Sequence, residues 1–205
     1  MTALKALIFD LGNVLVFHDN QKLFAALGSL FGTEAQALAA KVDASVWDRV
    51  NKGLLPGDSL RQELCRSLGK EVSRQGFEEA WSCHFWNHEA MIERVESLVG
   101  RYRLVLLSNT HDLHIAHIRP KLPLLKRFDA LVLSYEVGLA KPDAAIYRAA
   151  VAKAAVEPDA CLFFDDVKTY VDAARATGLP AHVFTTVEQF NLDLGARTSG
   201  PLRKT

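Results

Sequence analysis

Three acidic residues stand at the ends of two apolar runs. The first run is Ile8-Phe9-Asp10-Leu11-Gly12-Asn13-Val14-Leu15 and the second is Leu162-Phe163-Phe164-Asp165-Asp166. Ligands of open α/β sheets bind beyond the C-terminal ends of the strands, so both runs deliver carboxylates to one edge. Two carboxylates ~4 Å apart repel by roughly 4 kcal/mol at an effective dielectric near 20, and such a cluster needs protonation, separation or a cation. With oxygen ligands alone and no His or Cys beside them in sequence, a hard divalent ion such as Mg²⁺ is the simplest answer. The plainer alternatives are that Asp10 caps a turn and that Asp166 caps the next helix.

Two further segments suit an anion at that edge. Leu106-Leu107-Ser108-Asn109-Thr110 ends a strand-like run with a hydroxyl and backbone N–H groups that can cradle phosphate oxygens. Gly138-Leu139-Ala140-Lys141-Pro142 puts an ammonium in a loop whose backbone Pro142 restricts. Neither is diagnostic alone, because such turns are common and a Lys before Pro is often at the surface.

The elements that must position these residues can be read from hydrophobic pattern. Leu4 to Phe9, Arg103 to Leu107, Ala130 to Leu133, Cys161 to Phe164 and Ala181 to Phe184 are short, nearly continuous apolar runs. Separated by helical stretches, they predict a Rossmann-like, doubly wound α/β fold with a parallel five-stranded sheet. Helices are expected from Ala144 to Val156 and from Lys168 to Thr177, the second stopping at Gly178. The interval from Phe17 to Gly100 offers only helical patterns, such as Leu60, Leu64 and Leu68 or Ile92, Val95 and Leu98. We therefore expect a core of residues 1–16 and 100–205 and an inserted helical cap of residues 17–99. Trp47, Trp81, Phe85 and Trp86 read as cap core rather than as a substrate platform, with the rim of the pocket as the alternative for a few of them.

The chain has 205 residues, and its 24 Lys and Arg balance 24 Asp and Glu. That balance gives no electrostatic reason to expect nucleic acid or an anionic membrane as a partner. The apolar start is too short for a signal peptide or a span, so a cytoplasmic location is expected. Cys65, Cys83 and Cys161 have no zinc or disulfide spacing and read as reduced thiols. His111, His114 and His117 drift round a helix, and no other ligand completes a site with them.

In their order, these motifs resemble the haloacid dehalogenase-like hydrolase superfamily along nearly the whole chain: FDLGNVL from Phe9, SNT from Ser108, KPD from Lys141 and FFDD ending at Asp166. The DLGNV form, the cap after the first motif and the GLAKPD segment look most like the branch that includes bacterial α-D-glucose-1-phosphate phosphatase and the phosphatase domain of soluble epoxide hydrolase. The resemblance implies that Asp10 is a nucleophile forming an aspartyl-phosphate that water hydrolyses. It implies Mg²⁺ held by the Asp10 carboxylate, the Gly12 carbonyl and Asp166, with Asp165 ligating directly or through water. Lys141, Ser108, Asn109, Gly12 and Asn13 would then bind the phosphate.

The sequence departs from the family pattern at position 12, where most phosphatases of the superfamily carry an Asp as general acid and base. Asp19, and after it His18, are the candidates to supply that proton, with solvated loop residues as the alternative. Val14 and Tyr170 also replace residues usual in the family, Thr and Asn. The turn Asn51-Lys52-Gly53 corresponds to one that approaches the nucleophile in capped relatives, so Lys52 is a candidate substrate contact. The expected function is a Mg²⁺-dependent phosphatase of a small phosphorylated metabolite, a sugar phosphate among the candidates, acting as a monomer or homodimer. The alternatives are a haloacid dehalogenase, or a non-catalytic homologue that binds a phosphorylated metabolite. Dehalogenases of this fold need no metal and usually lack the double acid, so Asp165 and Asp166 favour the phosphatase.

Overall fold

A computed structural model of the chain describes residues 2–198. From the N-terminus the order is β1 (Ala6–Phe9), β2 (Val16–His18), then α1 (Asn20–Phe31), α2 (Ala35–Lys41), α3 (Ala44–Asn51), α4 (Gly57–Leu68) and α5 (Arg74–Ser82), followed by β3 (Phe85–Asn87) and α6 (Glu89–Glu96). The chain continues through β4 (Arg103–Ser108), α7 (Asp112–Ile118), β5 (Ala130–Leu133), α8 (Ser134–Val137), α9 (Ala144–Ala154), β6 (Cys161–Asp165), α10 (Lys168–Ala176), β7 (Ala181–Val183) and α11 (Val187–Thr198). All five expected strands form one parallel sheet in the order β5-β4-β1-β6-β7.

The alternation of side chains along each strand splits the core into two layers. Leu7, Phe9, Leu106 and Phe164 face α6, α7 and α11, packing with Met91, Val95, Ile115 and Phe190. Ala6, Ile8, Leu107 and Phe163 face α9 and α10, packing with Ile146, Tyr147, Ala150 and Val171. Burying a large apolar side chain contributes roughly 1.5–3 kcal/mol, and burial on both faces explains why these strands read as continuous apolar runs.

The insertion differs from expectation in two respects. It contains strands, because β2 and β3 pair as a short antiparallel ribbon in the register Val16↔Asn87, Phe17↔Trp86 and His18↔Phe85. Three-residue strands carry too little periodicity to be read beforehand. In addition, α6 packs its Met91, Ile92 and Val95 under the sheet, whereas α1, α4 and α5 form a separate cluster around Leu27, Leu64, Phe77 and Trp81. We propose that the helical cap ends at the β2–β3 ribbon and that α6 belongs to the core layer. Leu113 of α7 reaches into the cap cluster, and Gly57, the first residue of α4, lies flush against it: a Cβ there would stand 2.3 Å from Leu113 Cγ. Among the described residues no single helix is long and apolar enough to cross a membrane.

Candidate active site

Strand register assembles the acids. Phe9 of β1 pairs with both Leu106 of β4 and Phe164 of β6, so the next residues, Asp10 and Asp165, lie side by side at the sheet edge. The Asp10 N–H donates to the Phe164 carbonyl at 2.9 Å, which fixes the chain as it leaves the sheet. Asp10 and Asp165 share the strand parity of Ile8 and Phe163, and that is the face over which Lys141 lies. Its Nζ is 2.8 Å from Asp10 Oδ1 and 2.5 Å from Asp165 Oδ2. Asn109 holds the Lys141 backbone from both sides, with Oδ1 accepting its N–H at 2.8 Å and Nδ2 donating to its carbonyl at 2.9 Å. The ammonium also lies 5.1 Å from the ring centre of Tyr170, a cation–π contact.

Carboxylate oxygens of Asp10, Asp165 and Asp166 lie within 4.8 Å of one another. Three carboxylates and one ammonium leave two formal negative charges in this corner. Burial pushes the Asp10 carboxyl up to about 7, with Asp165 adding to the rise and Lys141 opposing it. Burial also works against the charged form of Lys141, but Asp10 and Asp165 outweigh it and hold the ammonium above its ordinary value. The donor set therefore fits a divalent cation, which would offset the residual charge and keep Asp10 ionised. Asp165 is fully buried, its Oδ2 taken by Lys141 and its Oδ1 accepting the Val167 N–H at 2.8 Å. Asp166 Oδ2 accepts from Asn13 Nδ2 at 2.9 Å. Asn13 adopts a left-handed φ of 52°, which Asn tolerates better than most residues, and the Gly12 to Val16 bridge closes the loop around it.

Asp10, Asp166, Lys141, Ser108, Asn109 and Thr110 line one end of a cavity of about 400 Å³, with Asp165 buried behind them. The other end is built by the cap, the ribbon and α7, with Asn20, Trp47, Asn51, His84, Phe85 and His114, while His18 of β2 stands beside Gly12 near the acids. Trp47 and Asn51 are four residues apart on α3 and so share one helical face. Lys52 falls on the next face, where Nζ pairs with Asp48 at 2.7 Å, and it does not line the cavity. Asp19 is likewise diverted, since its Oδ1 accepts the N–H groups of Gln21 and Lys22 and caps α1. His18 does line the cavity, and burial lowers its pKa against the opposing pull of Asp166 and Asp19.

The expected cap aromatics separate in the same way. Trp81 is buried and donates Nε1–H to His111 Nε2 at 2.7 Å, whereas Trp47 and Phe85 line the cavity and Trp86 is 46% exposed. His114 lies one turn beyond His111, their ring centres 3.7 Å apart, and His117 pairs with Lys121 instead. Sequence reasoning missed His84, which stands between α5 and β3 with no pattern to mark it. It also missed Asn20, which carries no motif, and within the expected Asn51-Lys52-Gly53 turn it singled out Lys52 where Asn51 lines the cavity.

Residues 4–178 match the family model described as haloacid dehalogenase-like hydrolase. The chain belongs to this hydrolase family. Its curated relatives include a D-ribitol-5-phosphate phosphatase of Bacteroides thetaiotaomicron, 26% identical over 185 residues that span 85% of this chain and 89% of the relative. Among solved structures, a HAD family enzyme of the same organism in complex with magnesium and inorganic phosphate superposes with a TM-score of 0.80 at 24% identity, covering 90% of this chain and 96% of that one. The L-2-haloacid dehalogenase of Xanthobacter autotrophicus superposes with a TM-score of 0.62 at 17% identity, over 97% of this chain and 85% of that one. At these identities the two structures speak for the fold alone.

Proposed function

We propose that this hydrolase is a Mg²⁺-dependent phosphatase of a small phosphorylated metabolite, working through an aspartyl-phosphate on Asp10. The observation that carries the reading is the Lys141 ammonium bridging Asp10 and Asp165 at 2.8 and 2.5 Å, with Asp166 converging beside them. A phosphate dianion approaching a carboxylate meets like-charge repulsion, which Lys141, the N–H groups of the Ser108–Thr110 turn and a divalent cation held by the acids would offset. The relative that hydrolyses a pentitol phosphate and the fold neighbour holding magnesium and phosphate support the reading.

Asp10, Asp166 and the Gly12 carbonyl are the groups that would hold Mg²⁺, and Asp165, with both oxygens engaged, would reach it through water. Bound there, the ion supplies positive charge for the phosphate oxygens and the nucleophile together. Lys141 and the Ser108–Thr110 turn bind phosphoryl oxygens and orient phosphorus towards Asp10. An Asp10 oxygen attacks phosphorus, the ester P–O bond breaks, and the leaving oxygen takes a proton. Water then attacks the phosphorus of the acyl phosphate, releasing inorganic phosphate and restoring the carboxylate. Asn109 acts as a positioning residue by fixing the Lys141 backbone.

Phosphate release from an aryl monoester, with Mg²⁺ and with chelator, tests this reading. Release should require Mg²⁺, fall by at least ~10³-fold in Asp10→Asn and lose its Mg²⁺ response in Asp166→Ala, with no halide freed from 2-haloacids. Near wild-type turnover in Asp10→Asn, or no release from any ester, overturns it.

A further inference from the structure

The two ends of the cavity differ in charge. Asp10, Asp166 and Lys141 stand at the phosphate end, and among the described residues lining the cavity Lys141 is the one Lys or Arg. The opposite wall presents amides, imidazoles and aromatic rings. Its imidazoles are neutral near pH 7, because burial lowers His84 to about 4 and holds His114 well below its ordinary value. Each ring also keeps a nitrogen without a hydrogen-bond partner, Nδ1 of His84 and Nε2 of His114. Neutral imidazoles and amides both donate and accept, which matches the hydroxyl group, and aromatic rings cover the C–H faces of a carbon chain. A carboxylate or second phosphate against the buried imidazoles here would lose water and find no Lys or Arg to pair it.

Resting on the phosphatase reading above, we propose that the cavity selects phosphomonoesters whose leaving group is an uncharged, polyhydroxylated chain, with Asn20, Asn51, His84 and His114 meeting its hydroxyls beside Trp47. Phosphorylated hydroxyacids and bisphosphates are excluded by the same wall. The volume of about 400 Å³ is near the lower end of the ~300–1,000 Å³ usual for small-molecule sites, and suits a single short chain.

Values of kcat/KM with Mg²⁺ for a pentitol 5-phosphate, a 5-phosphopentonate, a pentose bisphosphate and an aryl phosphate test the proposal. The pentitol ester should exceed the pentonate and bisphosphate by at least ~100-fold, the penalty expected for an unpaired buried charge. Asn51→Leu should lower the ratio of pentitol to aryl ester about tenfold, as loss of one hydrogen bond implies. Asn51→Arg should raise the ratio of pentonate to pentitol by at least about tenfold through a new charge pair. A folding defect lowers all esters alike and leaves these ratios unmoved. Equal or better turnover of the charged esters, or ratios unchanged in both variants, overturns the proposal. An aryl ester left intact by the wild type sinks the phosphatase reading instead. Calorimetric Kd values of Asp10→Asn for the pentitol and pentonate esters then read the same preference without turnover.

Discussion

The imidazole of His18 lies against the α-carbon of Gly12, where an added Cβ would stand 3.3 Å from Cδ2 and 3.4 Å from Nε2 of the ring. The volume that an acidic side chain at position 12 would enter is thus held by a histidine from six residues further along the chain. On sequence alone, Gly12→Asp should help the poorest leaving groups by supplying the family's usual acid. The contact reverses that expectation. Gly12→Asp should lower kcat/KM for an alkyl phosphate, and Gly12→Asp combined with His18→Ala should exceed Gly12→Asp alone. A single Gly12→Asp variant as active as wild type would show that the imidazole yields freely.

Proton delivery to the leaving oxygen divides the two candidates at positions 18 and 19. Asp19 is engaged as the cap of α1, so Asp19→Ala should cost about 0.5–2 kcal/mol of stability and leave kcat for alkyl and aryl phosphates in their wild-type ratio. His18→Ala should depress alkyl phosphates more than aryl ones, within the ~10²–10⁴-fold reach of general acid–base catalysis. The opposite pattern, a selective alkyl defect in Asp19→Ala, would return the role to the carboxylate.

Lys141 is 4% exposed and is the countercharge of two buried acids. Lys141→Met leaves both carboxylates desolvated and unpaired, which typically costs about 3–5 kcal/mol. The loss should be smaller at pH 5 than at pH 8, because Asp10, already pushed up to about 7, relieves the repulsion by taking a proton. Urea unfolding in chelator at both pH values reads this. An equal loss at each would mean that the lysine contributes packing rather than charge.

The histidines under the cap set an acid limit on stability. His84 titrates near 4 in the folded chain against an ordinary 6.5, so between these values the unfolded chain binds a proton that the folded chain does not. Its contribution is complete above about pH 6.5 and is lost as pH falls towards 4, by at most about 3 kcal/mol. His111 and His114 shift in the same direction, also through burial. His84→Gln should flatten the fall in unfolding free energy between pH 7 and pH 5, and an unchanged slope would assign the acid sensitivity to other groups.

Asp10, Ser108, Lys141, Asp165 and Asp166 were legible because each follows or faces an apolar strand whose end is its address, and register did the rest. The same reasoning fails for the cap end of the cavity. Helical periodicity shows that Ile92 and Val95 are buried but not which layer they join, and α6 went to the sheet. It cannot rank Asn51 over Lys52, since one residue of rotation separates a cavity wall from a surface ion pair. Asp19 carried a readable signal, an acid just before an amphipathic helix, and the cap it forms accounts for its absence from the site.

Helix α7 begins directly after the Ser108-Asn109-Thr110 turn, and it is also where the cap is fastened. Leu113 enters the cap cluster, the Gly57 N–H donates to both oxygens of Asp112 at 3.3 and 3.1 Å, and Trp81 donates to His111. The cap and the Ser108-Asn109-Thr110 turn therefore share one support, and on the phosphatase reading proposed above that turn is the one that would bind phosphate. A substitution in this seam, such as Leu113→Ala, disturbs the footing of both at once and should be felt in turnover as well as in affinity.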